Sequence, residues 1–257
     1  MVLQTGSAIF VPGVTGNTNY PGIDMDSVDK AAIITPGLIA FARAKKLAST
    51  PNSSFNDRTG NPVTVAGTTK TYSASLAALN SKPAITLDGA SGAGPYRYNF
   101  DLPTSFTFMA VVNFGALKNG DNILNTVANN FQLAANAGGQ LTVDADGGGT
   151  GDTLHSTASG VIAANTSYIL GVSHDASNKR NRIFLGSALP ILTVDSPVAF
   201  AGGSNPILFA SSLGVNNFNF LGSWAMWAIF DKAYGIGGTS DAVFADFIAK
   251  CKSHYAV

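Results

Sequence analysis

The chain has 257 residues, 46% of them apolar and only 12% charged, and its 15 basic side chains balance 15 acidic ones. Every acid is an aspartate, and glutamate does not occur. That absence excludes the glutamate-dependent zinc peptidase helix, the EF-hand with its terminal bidentate glutamate, and glycosidases built on a glutamate pair.

With no net positive charge, no nucleic-acid partner is expected. No run of apolar residues is long enough for a membrane span, and the start MVLQTGSAIFVPG lacks the basic residues and long apolar core of a secretory signal, so neither a signal peptide nor a transmembrane segment is expected. Cys251 is the single cysteine, which rules out an intrachain disulfide and marks it as a helix-packing thiol.

Residues 1–36 carry Pro12, Pro21 and Pro36 among glycines, with no sustained periodicity. They read as an extended N-terminal arm with one short helix near Asp26–Ala32, either a linker or an arm that drapes over a neighbouring subunit. Residues 37–257 read as one domain of short strands punctuated by Gly, Asn, Asp and Pro. The runs are LIAFARA, PAITLDG, RYNF, SFTFMAVVNF, NILNTV, FQLAA, QLTVDA, SYILGVSH, RIFLGS, PILFASS and FLGSWAMWAIFD. Both faces of SFTFMAVVNF are apolar, which predicts a central strand covered on each side.

Asn136, Gly138 and Gly139 predict a tight hairpin, and Asp175–Asn181 a polar hairpin loop whose Lys179, Arg180 and Arg182 read as a solvated turn. GASGAGP, residues 89–95, lacks the lysine and helix of a phosphate loop and reads as a plain connection. In DADGGGTGD, Asp144, Asp146 and Asp152 offer hard oxygen ligands to calcium, but the spacing departs from the EF-hand, and the stretch reads first as the wet end of a hairpin. His155, His174 and His254 show no ligand spacing, and no G-x-S-x-G nucleophile elbow is present. Trp224 and Trp227 are the candidates for stacking on a sugar; three apart on a regular strand, they would face opposite ways. At the C-terminus, Thr239 or Ser240 opens a helix that sets Val243, Phe244, Phe247, Ile248 and Cys251 on one face.

The order of these segments resembles the concanavalin A-like lectin/glucanase superfamily, in particular the laminin-G-like jelly-roll domains of bacterial and phage proteins. The resemblance runs from PGLIAFARAKKL through SSFNDRTGNP, KPAITLDGASG, SFTFMAVVNFG and SYILGVSHDASNKRNRIFLGS to FNFLGSWAMWAIFDKAY and the helix after it. It implies an all-β, two-sheet antiparallel jelly-roll sandwich with one C-terminal helix. It implies no activity, since that fold carries lectins, glycanases and structural domains alike. The glucanase branch uses an E-x-D-x-x-E strand that no segment here can match.

The expectation is therefore a non-enzymatic structural or interaction protein, a virion component of a phage such as a capsid decoration, head fibre or tail accessory protein. It would act as a homo-oligomer with other virion proteins, located in the virion and in the cytoplasm before assembly. The alternative is a carbohydrate-binding module that recognises host surface glycans. No catalytic, cofactor-binding or metal-ligating residue is assigned.

Overall fold

A computed structural model describes residues 25–48, 50–66, 70–88, 96–126, 131–145, 154–196, 199–209, 220–236 and 239–257. In chain order these form α1 (Ser27–Ile34), β1 (Leu38–Arg43), β2 (Phe55–Asn56), β3 (Pro62–Val65), β4 (Thr71–Leu76), β5 (Lys82–Asp88), β6 (Tyr96–Tyr98), β7 (Phe106–Phe114) and β8 (Asp121–Thr126). There follow β9 (Gln132–Ala135), β10 (Leu141–Asp144), β11 (His155–Ser156), β12 (Ser167–Asp175), β13 (Arg180–Leu185), β14 (Pro190–Asp195), β15 (Pro206–Leu208), β16 (Leu221–Phe230) and α2 (Thr239–Tyr255). All strand pairs are antiparallel.

The first sheet has the order β14-β13-β12-β7-β16-β5-β4, with β1 paired to the second half of β16; the second has the order β11-β10-β9-β8-β15-β6-β3-β2. They pack face to face, as the sequence pattern predicts. The central strand β7 shows why. Phe106, Phe108, Ala110, Val112 and Phe114 point into the core between the sheets, whereas Met109 and Val111 join a second core beneath the helices. The elements of the described residues thus lie in three layers: helices, first sheet, second sheet.

The amphipathic stripe predicted for α2 lies on the outer face of the first sheet. Phe244, Phe247, Ile248 and Cys251 are buried there against Phe184, Met226 and Phe230. Burying each large side chain of this kind is worth about 1.5–3 kcal/mol, which is what fixes the helix to the sheet. The Cys251 thiol is pushed up out of the ordinary range by burial, consistent with an inert packing group.

The short helix of the expected arm forms at Ser27–Ile34, with Asp26 as N-cap in a capping box with Asp29. It does not hang free. Val28, Ala31 and Ala32 belong to the core under α2, and the fully buried Asp29 is bonded by Arg43 at 2.9 Å, Lys45 at 3.1 Å and Arg58 at 2.8 Å. A buried carboxylate persists only when it is paired and hydrogen-bonded in this way. From Asp26 onward, the segment read as arm is therefore packed on the body; residues 1–24 lie outside the described residues.

Both predicted hairpins form. Between β9 and β10, Gly139 takes φ +71° and the Asn136 side chain accepts from the backbone N–H of Gly138 and Gln140. Between β12 and β13, the three basic residues separate. Lys179 is exposed and Arg180 pairs with Asp195 at 2.7 Å, but Arg182 is buried, 3.6 Å from Asp175, so it belongs to the body and not to a solvated turn.

The tryptophans correct the sequence reading most sharply. A β-bulge at Ala225–Met226 shifts the register of β16 against β7, from Trp224↔Val112 to Met226↔Val111. The extra residue cancels the alternation, so Trp224 and Trp227 point the same way, into the core between the sheets, with ring centroids 4.2 Å apart. Neither is exposed, at 0% each, so neither stacks on a sugar.

Candidate functional site

Two of the four sheet faces form the central core, and α1 and α2 lie over the outer face of the first sheet. The remaining sheet surface is the outer face of the second sheet, and strand alternation decides what it carries. Val63, Tyr96, Tyr98, Leu124, Leu133 and Val143 point inward, and their neighbours point out. Residues directly opposite each other on paired strands share a face. The ladder therefore sets Thr64, Arg97, Ile207, Asn125, Gln132 and Asp144 in one continuous row across β3, β6, β15, β8, β9 and β10. A second row runs Asn122, Ala134, Thr142 and Ser156 across β8 to β11. Gln132 donates its amide N–H to Asn122 Oδ1, which ties the rows together.

This face is mostly polar without being highly charged: amides, hydroxyls, one guanidinium and one carboxylate, interrupted by the buried Ile207 and Ala134. Its accessibility is graded. Asn125, Thr142 and Asp144 are buried, Gln132 and Arg97 half-buried, and Thr64, Pro62 and Asn56 exposed. The open end is therefore at β6, β3 and β2. No aromatic side chain of these strands faces outward; Phe55, Tyr96 and Tyr98 all turn into the core.

The open end is held by a buried relay directly beneath it. Trp227 Nε1–H donates to the Tyr98 hydroxyl at 2.8 Å, and Tyr98 O–H donates to Asp57 Oδ2 at 2.8 Å. The same oxygen accepts Phe41 N–H at 3.0 Å, while Oδ1 accepts from the Thr59 N–H, the Thr59 hydroxyl and the Asn61 N–H. Burial and the facing Asp57 carboxylate push the Tyr98 phenol well above its ordinary range, so it stays a neutral donor. One aspartate thereby joins β1, the turn before β3 and strand β6, the strand that carries Arg97.

The histidines are dispersed through the molecule. His174 is buried; its Nε2 accepts the Phe200 N–H at 3.0 Å, so Nδ1 carries the proton and donates to Asn181 Oδ1 at 2.7 Å. Burial, with the Arg182 charge nearby, holds its pKa below 6.5. His254 sits 3.2 Å from Arg43 at the end of α2, where burial and then that guanidinium lower its pKa. His155 pairs with Val143 at the edge of the second sheet. The structure brings no two of them together. Asp144 ends β10 in the outward row; Asp146 and Asp152, its partners in the calcium reading, lie outside the described residues, as does the glycine-rich loop 89–95. Among the described residues, no group of three or more His, Cys or Asp side chains is placed to hold a metal ion.

No family profile and no curated protein sequence matches the chain. Solved structures do. Domain 4 of a GH43 extracellular arabinanase from Geobacillus stearothermophilus, in complex with arabinotriose, is similar over 82% of this chain and 98% of its own, at 15% identity and a TM-score of 0.57. A Trypanosoma rangeli sialidase is similar over 83% of this chain but only 33% of its own, at 12% identity and a TM-score of 0.57. The shared fold is a two-sheet antiparallel jelly-roll sandwich. At such identities the likeness extends to the fold and no further.

Sequence reading passed over Arg97, Asn125 and Gln132. A signal for the first was present: in Tyr96-Arg97-Tyr98 the alternation of aromatic and charged residues places the arginine on the outer face. For Asn125, alternation within β8 is broken by a bulge between Asn122 and Leu124, which hides the pattern. Among the described residues, no helix is long and apolar enough to cross a membrane.

Proposed function

We propose that the chain is a carbohydrate-binding domain, and that the outer face of the second sheet is its binding surface. The observation that carries this reading is the open end of the polar row, where the exposed Thr64 stands beside the half-buried Arg97. Hydroxyl, guanidinium and amide groups held on a rigid sheet are the donors and acceptors that sugar hydroxyls take. The arabinanase domain, which takes arabinotriose, supports it by likeness of fold. Recognition here works through hydrogen bonds and not through aromatic stacking. A non-catalytic role fits a chain without glutamate. The test is a glycan array followed by titration calorimetry. Binding that is weakened by Gln132→Ala and Thr64→Ala supports the reading; the absence of binding to any glycan refutes it.

A second reading, assembly as a homo-oligomer with other virion proteins, draws on the 12% charged residues and zero net charge, which oppose association weakly. It also draws on the exposed Leu189, which lines a cavity of about 390 Å³ beside α2, and on the exposed Ile191 of the edge strand β14. Sedimentation decides it: a monomer at all concentrations, with no incorporation into particles, overturns it.

A further inference from the structure

We propose that Arg97 anchors an acidic-sugar subsite, taking the carboxylate of a uronic or other carboxylated sugar residue. The inference rests on the carbohydrate-binding reading and names its ligand class.

The sequence holds five arginines. Four are committed to aspartates: Arg43 to Asp26 and Asp29, Arg58 to Asp29, Arg180 to Asp195 and Arg182 to Asp175. Arg97 has no carboxylate within ion-pair reach among the described residues. Its one polar contact there is long and neutral, Nη2 donating to Asn205 Oδ1 at 3.4 Å. Asn205 is itself fixed, because its amide nitrogen donates to the Phe100 carbonyl at 2.9 Å, which turns the amide oxygen toward the guanidinium. A guanidinium carries five N–H donors, so most of the fork is left for a ligand.

Its position suits that use. β6 is an interior strand, and Arg97 stands directly opposite Thr64 on one side and Ile207 on the other. The half-buried stem is thereby held upright, with an exposed hydroxyl beside the fork. Among the strand residues of this face, the other charge is Asp144, four strand spacings along the same row, roughly 19 Å away. That exceeds the screening length of about 8–10 Å, so Asp144 does not neutralise it.

A planar guanidinium and a carboxylate meet through two parallel N–H···O bonds, a geometry that neither a neutral sugar nor a lysine reproduces. A neutral hydroxyl would be served equally well by one of the amides that this face already holds. The geometry therefore selects for an acidic residue at the β6–β3 end of the row.

The experiment uses the full chain and two matched pairs: trigalacturonate against its methyl ester, and sialyllactose against lactose. The expected result is binding of at least one acidic member about tenfold or more tighter than its neutral partner, as a charge-assisted bidentate bond requires. Arg97→Gln should lose that preference, so that the acidic and neutral members of each pair bind within about twofold of one another, and Arg97→Lys should fall between. An unchanged thermal midpoint and far-UV spectrum show that the variants fold. Equal binding within both pairs, or an Arg97→Gln protein that keeps the acidic preference, overturns the inference and leaves the carbohydrate reading standing. No binding to any of the four sugars or to a wider glycan array overturns both.

Discussion

Replacing Asp57 by alanine tests whether the relay under the candidate face holds this end of the sandwich together. The carboxylate accepts five hydrogen bonds, but they are not equal. The donors of Thr59 and Asn61 lie at the surface and turn to water when the carboxylate is lost. The Phe41 N–H and the Tyr98 O–H cannot, since both residues are fully buried. Each stranded buried donor costs about 1–3 kcal/mol, so the substitution should destabilise the fold by about 4 kcal/mol, lowering the thermal midpoint by about 10 °C in a chain of this size. Asp57→Asn should also destabilise, by about 2 kcal/mol, because its amide N–H₂ must face donors on one side or the other. Tyr98→Phe strands the Trp227 N–H instead. Since both variants break the Tyr98–Asp57 bond, the double variant should lose about 1 kcal/mol less than the sum of the singles. Chemical denaturation with an unchanged m-value is the assay. A loss below about 1 kcal/mol for Asp57→Ala, or strict additivity in the double variant, refutes the reasoning.

Acidification should destabilise the protein through His174. Its folded pKa lies below 6.5, so the unfolded chain binds more protons as pH falls through that value; the stabilisation is complete above about 6.5 and is lost toward the lower folded pKa. The thermal midpoint should fall across that window, with a smaller slope in His174→Gln and a residue of slope from His254, whose pKa is lowered in the same direction. Gly171→Ala should destabilise by about 1–3 kcal/mol, since a Cβ there meets the Phe108 carbonyl oxygen and the Met109 sulfur; a neutral effect in denaturation would show that β7 and β12 can part. Native tryptophan emission should resist acrylamide and stay unchanged on saturation with a bound oligosaccharide, because both indoles are in the core; quenching by the sugar would show stacking.

The sequence alone was sufficient for several elements in which a local rule ran unbroken. SFTFMAVVNF announced a strand covered on both faces because each parity of its residues is apolar, and the helix stripe of Phe244, Phe247, Ile248 and Cys251 announced a packed helix. Asn136 and Gly139 announced their turn because few residues tolerate its backbone angles. The absence of glutamate narrowed the chemistry before any coordinate was considered. The short strands β2, β3 and β11 went unread because two to four residues carry too little periodicity to register, and the six-residue strands β4 and β14 were missed as well.

What only the tertiary structure decided is where alternation fails and which charges find partners. A single bulge in β16 turned Trp224 and Trp227 from opposite faces to one, and so removed the expected stacking platform. Asp29 and its three cations converted part of an apparent arm into packed structure, and Arg182 left its polar loop for the body. Arg97 drew no notice in the sequence, because an unpaired cation is defined by what does not lie near it. Periodicity is a property of neighbours along the chain, whereas burial and charge pairing are properties of neighbours in space, and this candidate site is built from the second kind.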